Sequence, residues 1–238
     1  CLATRYAVVE LESTESTQDE ARERYEGPEP ILVIAGHQTA GRGRLGREWL
    51  EPDRALFASL AFEPAWPIEA WSLIPLAAGL AVRSTIGAVA GVTVGLRWPN
   101  DLVIGDEKIG GLLAEAGDEI VVVGCGINLL WDEPIVGGSA LYETDPGSEI
   151  AGTLATGWAD RLLSSLALQP DDWGIDDYRD ACVTIGRPVS YATGSGTAVA
   201  VSDEGALLVE TASGVIAVHS GEVRLHDRAT LPTDPRRN

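Results

Sequence analysis

Gly36-His37-Gln38-Thr39-Ala40-Gly41-Arg42-Gly43-Arg44-Leu45-Gly46-Arg47-Glu48-Trp49 is the densest local signal in the chain. From position 41 to position 47, three arginines alternate with three glycines, in a protein whose formal net charge is −19. Glycines let a backbone approach a ligand and adopt positive φ. Arginine forks present paired donors that match carboxylate and phosphate. The stretch therefore reads as an anion-binding loop, and the remaining chain must say which anion. Gly41-x-Gly43-x-x-Gly46 also fits the dinucleotide fingerprint formally. A helix should open after the third glycine, however, and Trp49, Pro52 and a new strand come instead. No Gly-Lys-Ser/Thr follows, so the loop is not a P-loop either.

Composition narrows the classes. The 238 residues suit one large domain, or one domain with a small appendage, and a 45% hydrophobic fraction can supply a core. The sequence offers no apolar run of the roughly 20 residues that a bilayer span needs, and no signal peptide is visible. The chain contains no methionine, so residue 1 is not a translation start and an upstream segment is expected. Cys1, Cys125 and Cys182 are odd in number and widely spaced. They give neither a disulfide framework nor a zinc pattern, and they suit a reducing cytoplasm. The acidic balance argues against a broad nucleic-acid surface. Lys108 is the only lysine among 17 basic residues.

Around the loop the chain alternates strands and helices. Arg5 to Leu11, Ile31 to Ala35 and Ala55 to Phe62 read as strands. Thr17 and Glu20 sit at capping-box spacing before a short helix, Ala21 to Tyr25, whose N-terminal amides could face an anion. Glu69 to Val89 reads as a buried helix, with Pro75 and Gly79 marking a kink or a late start. Thr93 to Trp98, Leu102 to Ile104, Ile109 to Ala116 and Ile120 to Gly126 are strands, with a hairpin turn at Gly105-Asp106-Glu107. Glu149 to Leu168 and Trp173 to Cys182 are helices. After Arg187, five short glycine-punctuated strands (188–191, 198–201, 206–210, 215–219, 222–225) suggest a small β-barrel. The expected division is 1–184, 185–228 and a disordered tail over 229–238.

Two further patches carry chemistry. In Arg97-Trp98-Pro99-Asn100-Asp101-Leu102, Pro99 cannot donate to a sheet, so the ladder breaks there and exposes Asn100 and Asp101. Lys108 opens the next strand, where a fixed cation could meet an anionic substrate. In Val123-Gly124-Cys125-Gly126-Ile127-Asn128, a buried strand runs into Gly-x-Gly, which suggests close approach of a ligand or another backbone. Cys125 has no histidine or helix start nearby to lower its pKa, and reads as a small buried residue rather than a nucleophile.

Taken in order, Glu15-Ser16-Thr17-Gln18, the Arg/Gly loop through Trp49, Arg97-Trp98-Pro99-Asn100-Asp101, Lys108-Ile109-Gly110-Gly111 and Gly124-Cys125-Gly126-Ile127-Asn128 resemble the catalytic core of the biotin protein ligase family. The resemblance covers nearly the whole chain. It implies an α+β fold: a mixed sheet packed with helices, class II synthetase-like and related to lipoate ligases, followed by an SH3-like β-barrel. It implies that biotin and Mg·ATP form biotinyl-5′-AMP, and that a lysine of a biotin carboxyl carrier protein then takes the biotin. Lys108 and Arg44 would be the catalytic cations, at the junction of biotin carboxylate and α-phosphate. Ser16, Thr17, Gln38, Gly41, Arg42, Gly111, Gly124 and Gly126 would join them in binding biotin. Arg42, Arg47, Trp49, Asn100, Asp101 and Asn128 would serve ATP, with Mg2+ near Asp101. The loop would be mobile without ligand and order over it.

Three points depart from the family pattern or stay open. Arg97 stands where lysine is frequent, which keeps the charge. His226 stands where many members place an arginine, which leaves roles for His226 and Arg224 open. The residues before Arg5 are too few for the helix-turn-helix that some members carry, and whether one precedes residue 1 stays open. A homodimer through sheet edges is compatible with the sequence. A lipoate or octanoate ligase on the same scaffold is the rival enzyme, and a non-catalytic biotin sensor is the rival of another class.

Excess carboxylate with a single lysine is what adaptation to high salt produces, because at ~1 M salt the Debye length is roughly 3 Å and self-repulsion is screened. An acidic protein from a GC-rich mesophile is the alternative. A halophilic chain should lose helicity and activity as salt is removed, followed by circular dichroism across a salt series. Full folding and activity in salt-free buffer would dismiss the adaptation.

Overall fold

The computed structural model describes residues 6–117, 119–219, 221 and 223–226. Cys1, Glu222 and the expected tail 229–238 lie outside them. A seven-stranded mixed sheet forms the body. Its first unit is β1 (Ala7–Thr14), α1 (Thr17–Arg24) and β2 (Ile31–Gln38), with β1 and β2 parallel and joined by the helix, as a parallel pair requires. β3 (Arg54–Phe62) runs antiparallel to β2. Then come α2 (Ile74–Ala90), β4 (Gly95–Arg97), β5 (Asp101–Ile104), β6 (Glu107–Gly117) and β7 (Ile120–Leu130). The strand order is β1-β2-β3-β7-β6-β5-β4, so the long pair β6/β7 lies between the two ends of the chain's first half.

Both faces of the sheet are covered, which is why its inner strands read as continuous apolar runs. Residues 31–35 of β2 and 56–62 of β3 are all buried. α1 lies over one face, where Ala21 packs with Ile31, Val33, Ala61 and Val122. α2 and α3 (Glu149–Leu166) cover the other face, with α4 (Ile175–Ala181) beside α2. Fully buried Leu32, Leu56, Leu60, Leu76 and Trp158 anchor that layer, each worth roughly 1.5–3 kcal/mol or more of transfer free energy. Against the expectation that no stretch reaches span length, Ile68–Ala90 is long and apolar enough to cross a membrane; 56% of its most apolar window is buried inside the fold. Pro75 produces the late start. The chain runs as a 3-10 segment over Ile68–Leu73, and the α-helix takes Pro75 in its first turn, where a missing N–H costs nothing.

One expected device is absent. α1 begins at Thr17 rather than being capped by it, with Ser16 as its extended N-cap residue and no side-chain cap bond. Glu20 turns instead to Thr14 and Arg24. Thr17 is drawn away by partners on neighbouring strands that no local spacing reveals.

The C-terminal strands β8 (Pro188–Tyr191), β9 (Gly194–Val201), β10 (Leu207–Thr211), β11 (Gly214–Val218) and β12 (Arg224–Leu225) form an antiparallel sheet in the order β11-β10-β9-β8-β12. Val189, Ala198, Val201, Leu207 and Val209 belong to the same apolar cluster as α2. Buried hydrogen bonds fasten this sheet and its lead-in to the body: Trp98 Nε1 donates to Gly205 O at 3.0 Å, and Trp98 N to Thr184 Oγ1 at 2.9 Å.

β6 and β7 meet closely at glycine. A Cβ on Gly110 would stand 2.5 Å from Gly126 O and 3.2 Å from Ile127 Cα, both backbone atoms. Gly110→Ala is therefore expected to cost roughly 1–3 kcal/mol through forced strand displacement and to lower the melting midpoint by several degrees in calorimetry. An unchanged midpoint would mean that the two strands separate freely.

Candidate active site

A cleft of about 710 Å³ opens over β3, β7, β6 and β5, roofed by the Arg/Gly loop and reached by the C-terminal sheet. Its floor consists of positions without side chains. Gly124 and Gly126 fall on one face of β7, and Gly111 of β6 pairs with Gly126. A Cβ on Gly124 would sit 2.7 Å from Gln18 Oε1, one on Gly126 2.9 Å from the Trp49 ring, and one on Gly111 3.3 Å from Lys108 Nζ. Each glycine thus makes room for one functional side chain. The Gly-x-Gly signal in the sequence was a signal of close approach.

At the β3 side the lining is neutral and polar. Gln38 Oε1 accepts from Thr17 N at 2.8 Å and Thr17 Oγ1 at 3.0 Å. The Thr17 hydroxyl also meets Ser59 Oγ at 2.9 Å, and Ser59 Oγ donates to Gln18 Oε1 at 2.9 Å. Gln18 Nε2 donates to the carbonyls of Leu113 and Val122. Ser16, Thr17, Gln18 and Ser59 are all buried. Such a closed network fixes donors and acceptors in place. It also takes up the first amide of α1.

Toward β5 the lining becomes cationic. Lys108 Nζ pairs with Asp101 Oδ1 at 2.6 Å and lies 5.8 Å from the centroid of Trp49. Asn100 is held by Leu112, with Asn100 Nδ2 donating to Leu112 O and Leu112 N to Asn100 O. Asn100 Oδ1 then accepts from Arg44 Nη1 at 2.9 Å, while Arg44 Nη2 reaches Gly221 O at 3.4 Å. Burial pushes the Arg44 guanidinium down from its ordinary range, and the Asp101 charge opposes that. Arg97 Nη2 and Arg187 Nη1 each donate to Asp106, at 2.6 Å. Six arginines and one lysine line the cleft against three carboxylates.

The loop itself is a compact hairpin-like fold. Arg42 bridges Glu48, Gly43 N donates to Arg47 O, and Trp49 N donates to Gly41 O. A 3-10 turn over Arg44–Gly46 places Leu45 at φ 61, a left-handed conformation that costs a non-glycine residue roughly 1–2 kcal/mol. Arg42 forms a two-toothed pair with Asp19 of α1, at 2.8 and 2.6 Å.

Ser16, Thr17, Gln38, Arg42, Arg44, Arg47, Trp49, Asn100, Asp101, Lys108, Gly111, Gly124 and Gly126 all line this one cleft. Gly41 and Asn128 are placed apart from its lining. Gly41 packs against Gln38 and Trp49 and supports the loop. Asn128 is buried with Nδ2 on Ser139 O. Gln18, Ser59, Asp106 and Arg187 also line the cleft, and the sequence reading gave them no role. Ser59 had a signal, as the one polar side chain in the apolar run Ala55–Phe62. Arg187 had none. Cys125 is buried in the wall, and desolvation pushes its thiol far up, away from nucleophilic use. His226 pairs with Ser190 and is not in the cleft lining. Arg224 is. Among the described residues no group of three or more His, Cys, Asp or Glu could hold a metal ion.

The chain matches the biotin/lipoate A/B protein ligase family over residues 9–128 and the biotin protein ligase C-terminal domain over residues 184–225. It is 34% identical over 209 residues to the biotin–[acetyl-CoA-carboxylase] ligase of Mycobacterium tuberculosis, spanning 81% of this chain and 78% of that protein. It is 30% identical over 241 residues to the bifunctional ligase/repressor BirA of Bacillus subtilis, spanning 90% of this chain and 72% of that protein. The fold superposes on the biotin protein ligase of Aquifex aeolicus in complex with biotin and ATP with a TM-score of 0.78, at 26% identity, covering 92% of this chain and 98% of that one.

The Asp19–Arg42 pair gives the loop a testable anchor. Arg42 holds the Asp19 carboxyl below the usual carboxylate range. The contact therefore contributes above about pH 4 and is lost as pH falls through the lowered value. Both side chains are nearly half exposed, so its worth is at most about 1 kcal/mol. Asp19→Asn should accelerate tryptic cleavage at Arg42, Arg44 or Arg47 by roughly fivefold at neutral pH. Equal cleavage rates would mean that the loop is held by its backbone bonds alone.

Proposed function

The chain belongs to the biotin/lipoate A/B protein ligase family, and we propose that it activates biotin with ATP and transfers it to one lysine of a biotin carboxyl carrier protein. The observation that carries this reading is the gradient across the cleft. Neutral donors and acceptors from α1, β2 and β3 give way to cations on β6, β5 and the loop. Biotin has that polarity, with a neutral ureido ring at one end and a carboxylate at the other. Ser16, Thr17, Gln18, Gln38 and Ser59 would read the ring. Lys108 and Arg44 would receive the carboxylate. The match over residues 184–225 to the biotin branch disfavours a lipoate ligase.

In the first half-reaction a carboxylate oxygen forms a bond to the α-phosphorus of ATP. The bond from that phosphorus to the bridging oxygen breaks, and pyrophosphate keeps the electron pair. Two like unit charges about 4 Å apart repel by roughly 4 kcal/mol at an effective dielectric constant near 20. That exceeds the roughly 1 kcal/mol of one net hydrogen bond. Cations between the reactants are therefore the first requirement. Lys108 meets it by exchanging the Asp101 carboxylate for those of the substrates, so Asp101 acts as the resting counterion. Trp49 would pack against the nucleotide. In the second half-reaction the carrier lysine attacks the acyl carbon and AMP leaves. That lysine must stand on an exposed turn to enter the cleft.

Magnesium would arrive with the phosphates of ATP. Asp101 Oδ1 accepts from Lys108, and among the described residues no cluster of acidic ligands forms a cage for the ion; Asp101 would be the carboxylate beside it, where the ion would offset phosphate charge.

Lys108→Ala should depress biotin-dependent ATP–pyrophosphate exchange about tenfold or more, the loss expected of one charge-assisted contact. Arg44→Ala should release biotinyl-5′-AMP faster. Unchanged exchange in Lys108→Ala would remove that lysine from the mechanism. Absence of biotin-dependent exchange in the unaltered chain would remove the function.

A further inference from the structure

We propose that Arg97 and Arg187, which converge on Asp106 at the tip of the β5–β6 hairpin, form the seat for the β- and γ-phosphates of ATP and then for the departing pyrophosphate. The assignment rests on the ATP-dependent reading above and locates one half of that reaction. It makes the C-terminal sheet a contributor to the phosphate site through a named side chain.

The two arginines come from different sheets. Arg97 ends β4, and Arg187 immediately precedes β8. Arg97 Nη2 donates to the main-chain oxygen of Asp106 and Arg187 Nη1 to its carboxylate, each at 2.6 Å. All three residues line the cleft that holds Lys108. Arg187 holds the Asp106 carboxyl below the usual range, with a further contribution from Arg97. One carboxylate thus faces two guanidiniums, with a hydrogen bond from Arg187, and the trio keeps one uncompensated positive charge. Both Nε–H groups are buried without an acceptor, a condition that folded proteins rarely tolerate without a reason.

Arg42 and Lys108 each have a carboxylate of their own, Asp19 and Asp101, whereas Arg97 and Arg187 have one aspartate between them. Strand order supplies the direction. Ser59 lies on β3, Gly124 on β7, Lys108 on β6 and the Asp106 turn beyond it, with Arg97 on the outermost strand β4. A carboxylate held at Lys108 therefore approaches the α-phosphorus from the β7 side. The leaving oxygen must lie roughly opposite the attacking one, which points toward the hairpin and its two arginines. As the bond to the bridging oxygen breaks, the electron pair and the growing negative charge move onto pyrophosphate, where planar guanidinium forks match phosphate oxygens. Asp106 is 65% exposed and can swing aside as the anion enters.

The test separates the two half-reactions, because transfer from ready-made biotinyl-5′-AMP involves no pyrophosphate. Arg97→Ala and Arg187→Ala are each made in the full chain. Inorganic pyrophosphate binding is measured by calorimetry, KM for ATP by exchange, and acyl transfer from supplied biotinyl-5′-AMP to the carrier. Each variant should weaken pyrophosphate binding and raise KM for ATP by about tenfold or more, with acyl transfer and biotin affinity within about twofold of the parent. If either alanine variant fails to fold, its glutamine counterpart, which keeps the stem and a donor, carries the same expectation. Unchanged pyrophosphate affinity overturns the seat. Equal losses in both half-reactions also overturn it, by reducing the arginines to structural ties. If the parent chain binds pyrophosphate through these arginines yet shows no biotin-dependent exchange, the seat stands and the biotin reading falls.

Discussion

Repulsion among gathered cations is the constraint on which this structure turns. Seven positive side chains line one cleft in a chain of net charge −19. In the absence of an anion each must be matched locally, and the fold supplies a partner of graded strength. Lys108 has a carboxylate at 2.6 Å and Arg42 has two oxygens of another. Arg44 has only neutral acceptors, from Asn100 and Gly221. Arg97 and Arg187 divide a single aspartate. The cleft is therefore assembled without ligand but electrostatically under-filled. Its acidic surroundings raise solubility without closing the gap, because exposed charges beyond about 10 Å are screened at ordinary ionic strength.

A second constraint is steric and serves the first. Gly111, Gly124 and Gly126 remove three Cβ atoms from adjoining positions on β6 and β7, and Lys108, Gln18 and Trp49 fill the space. Because the floor is a hydrogen-bonded ladder rather than a loop, those side chains inherit its rigidity. The Arg/Gly turn is built differently, and its exposed Leu45 sits in a left-handed conformation. The turn is held by its own backbone bonds and by the half-exposed Asp19–Arg42 pair rather than by a ladder.

What the sequence disclosed follows from what is local. Strand positions, the Pro75 start of α2, the hairpin at Gly105 and the glycine-dense patches all rest on neighbours within a few residues, and the structure agrees. The family resemblance gathered residues far apart in the chain because it came with a fold. Long-range partnerships were not legible. Thr17 sits at capping-box spacing but bonds across strands to Gln38 and Ser59, which are 21 and 42 residues away. Asn128 stands two residues past Gly126, yet it turns its amide to Ser139 and not to the cleft lining. Arg187 opens the C-terminal strands and meets an aspartate 81 residues earlier. None of these could be read from spacing, since register and sheet docking decide them.

The same long-range bonds explain why a small sheet is attached to the larger one. Trp98, immediately before the Pro99 break, anchors its indole on Gly205, and the next residues deliver Asn100 and Asp101 to the cleft. Arg44 reaches from the loop to Gly221, and Arg187 reaches back to Asp106. The C-terminal sheet therefore touches the loop, the break and the hairpin, the three segments that present cations or their partners. A change in how that sheet sits would alter all three contacts together, whereas the glycine floor and the Gln18–Ser59 network would not sense it. The neutral end of the cleft is built over one sheet. Its cationic end is shared between two.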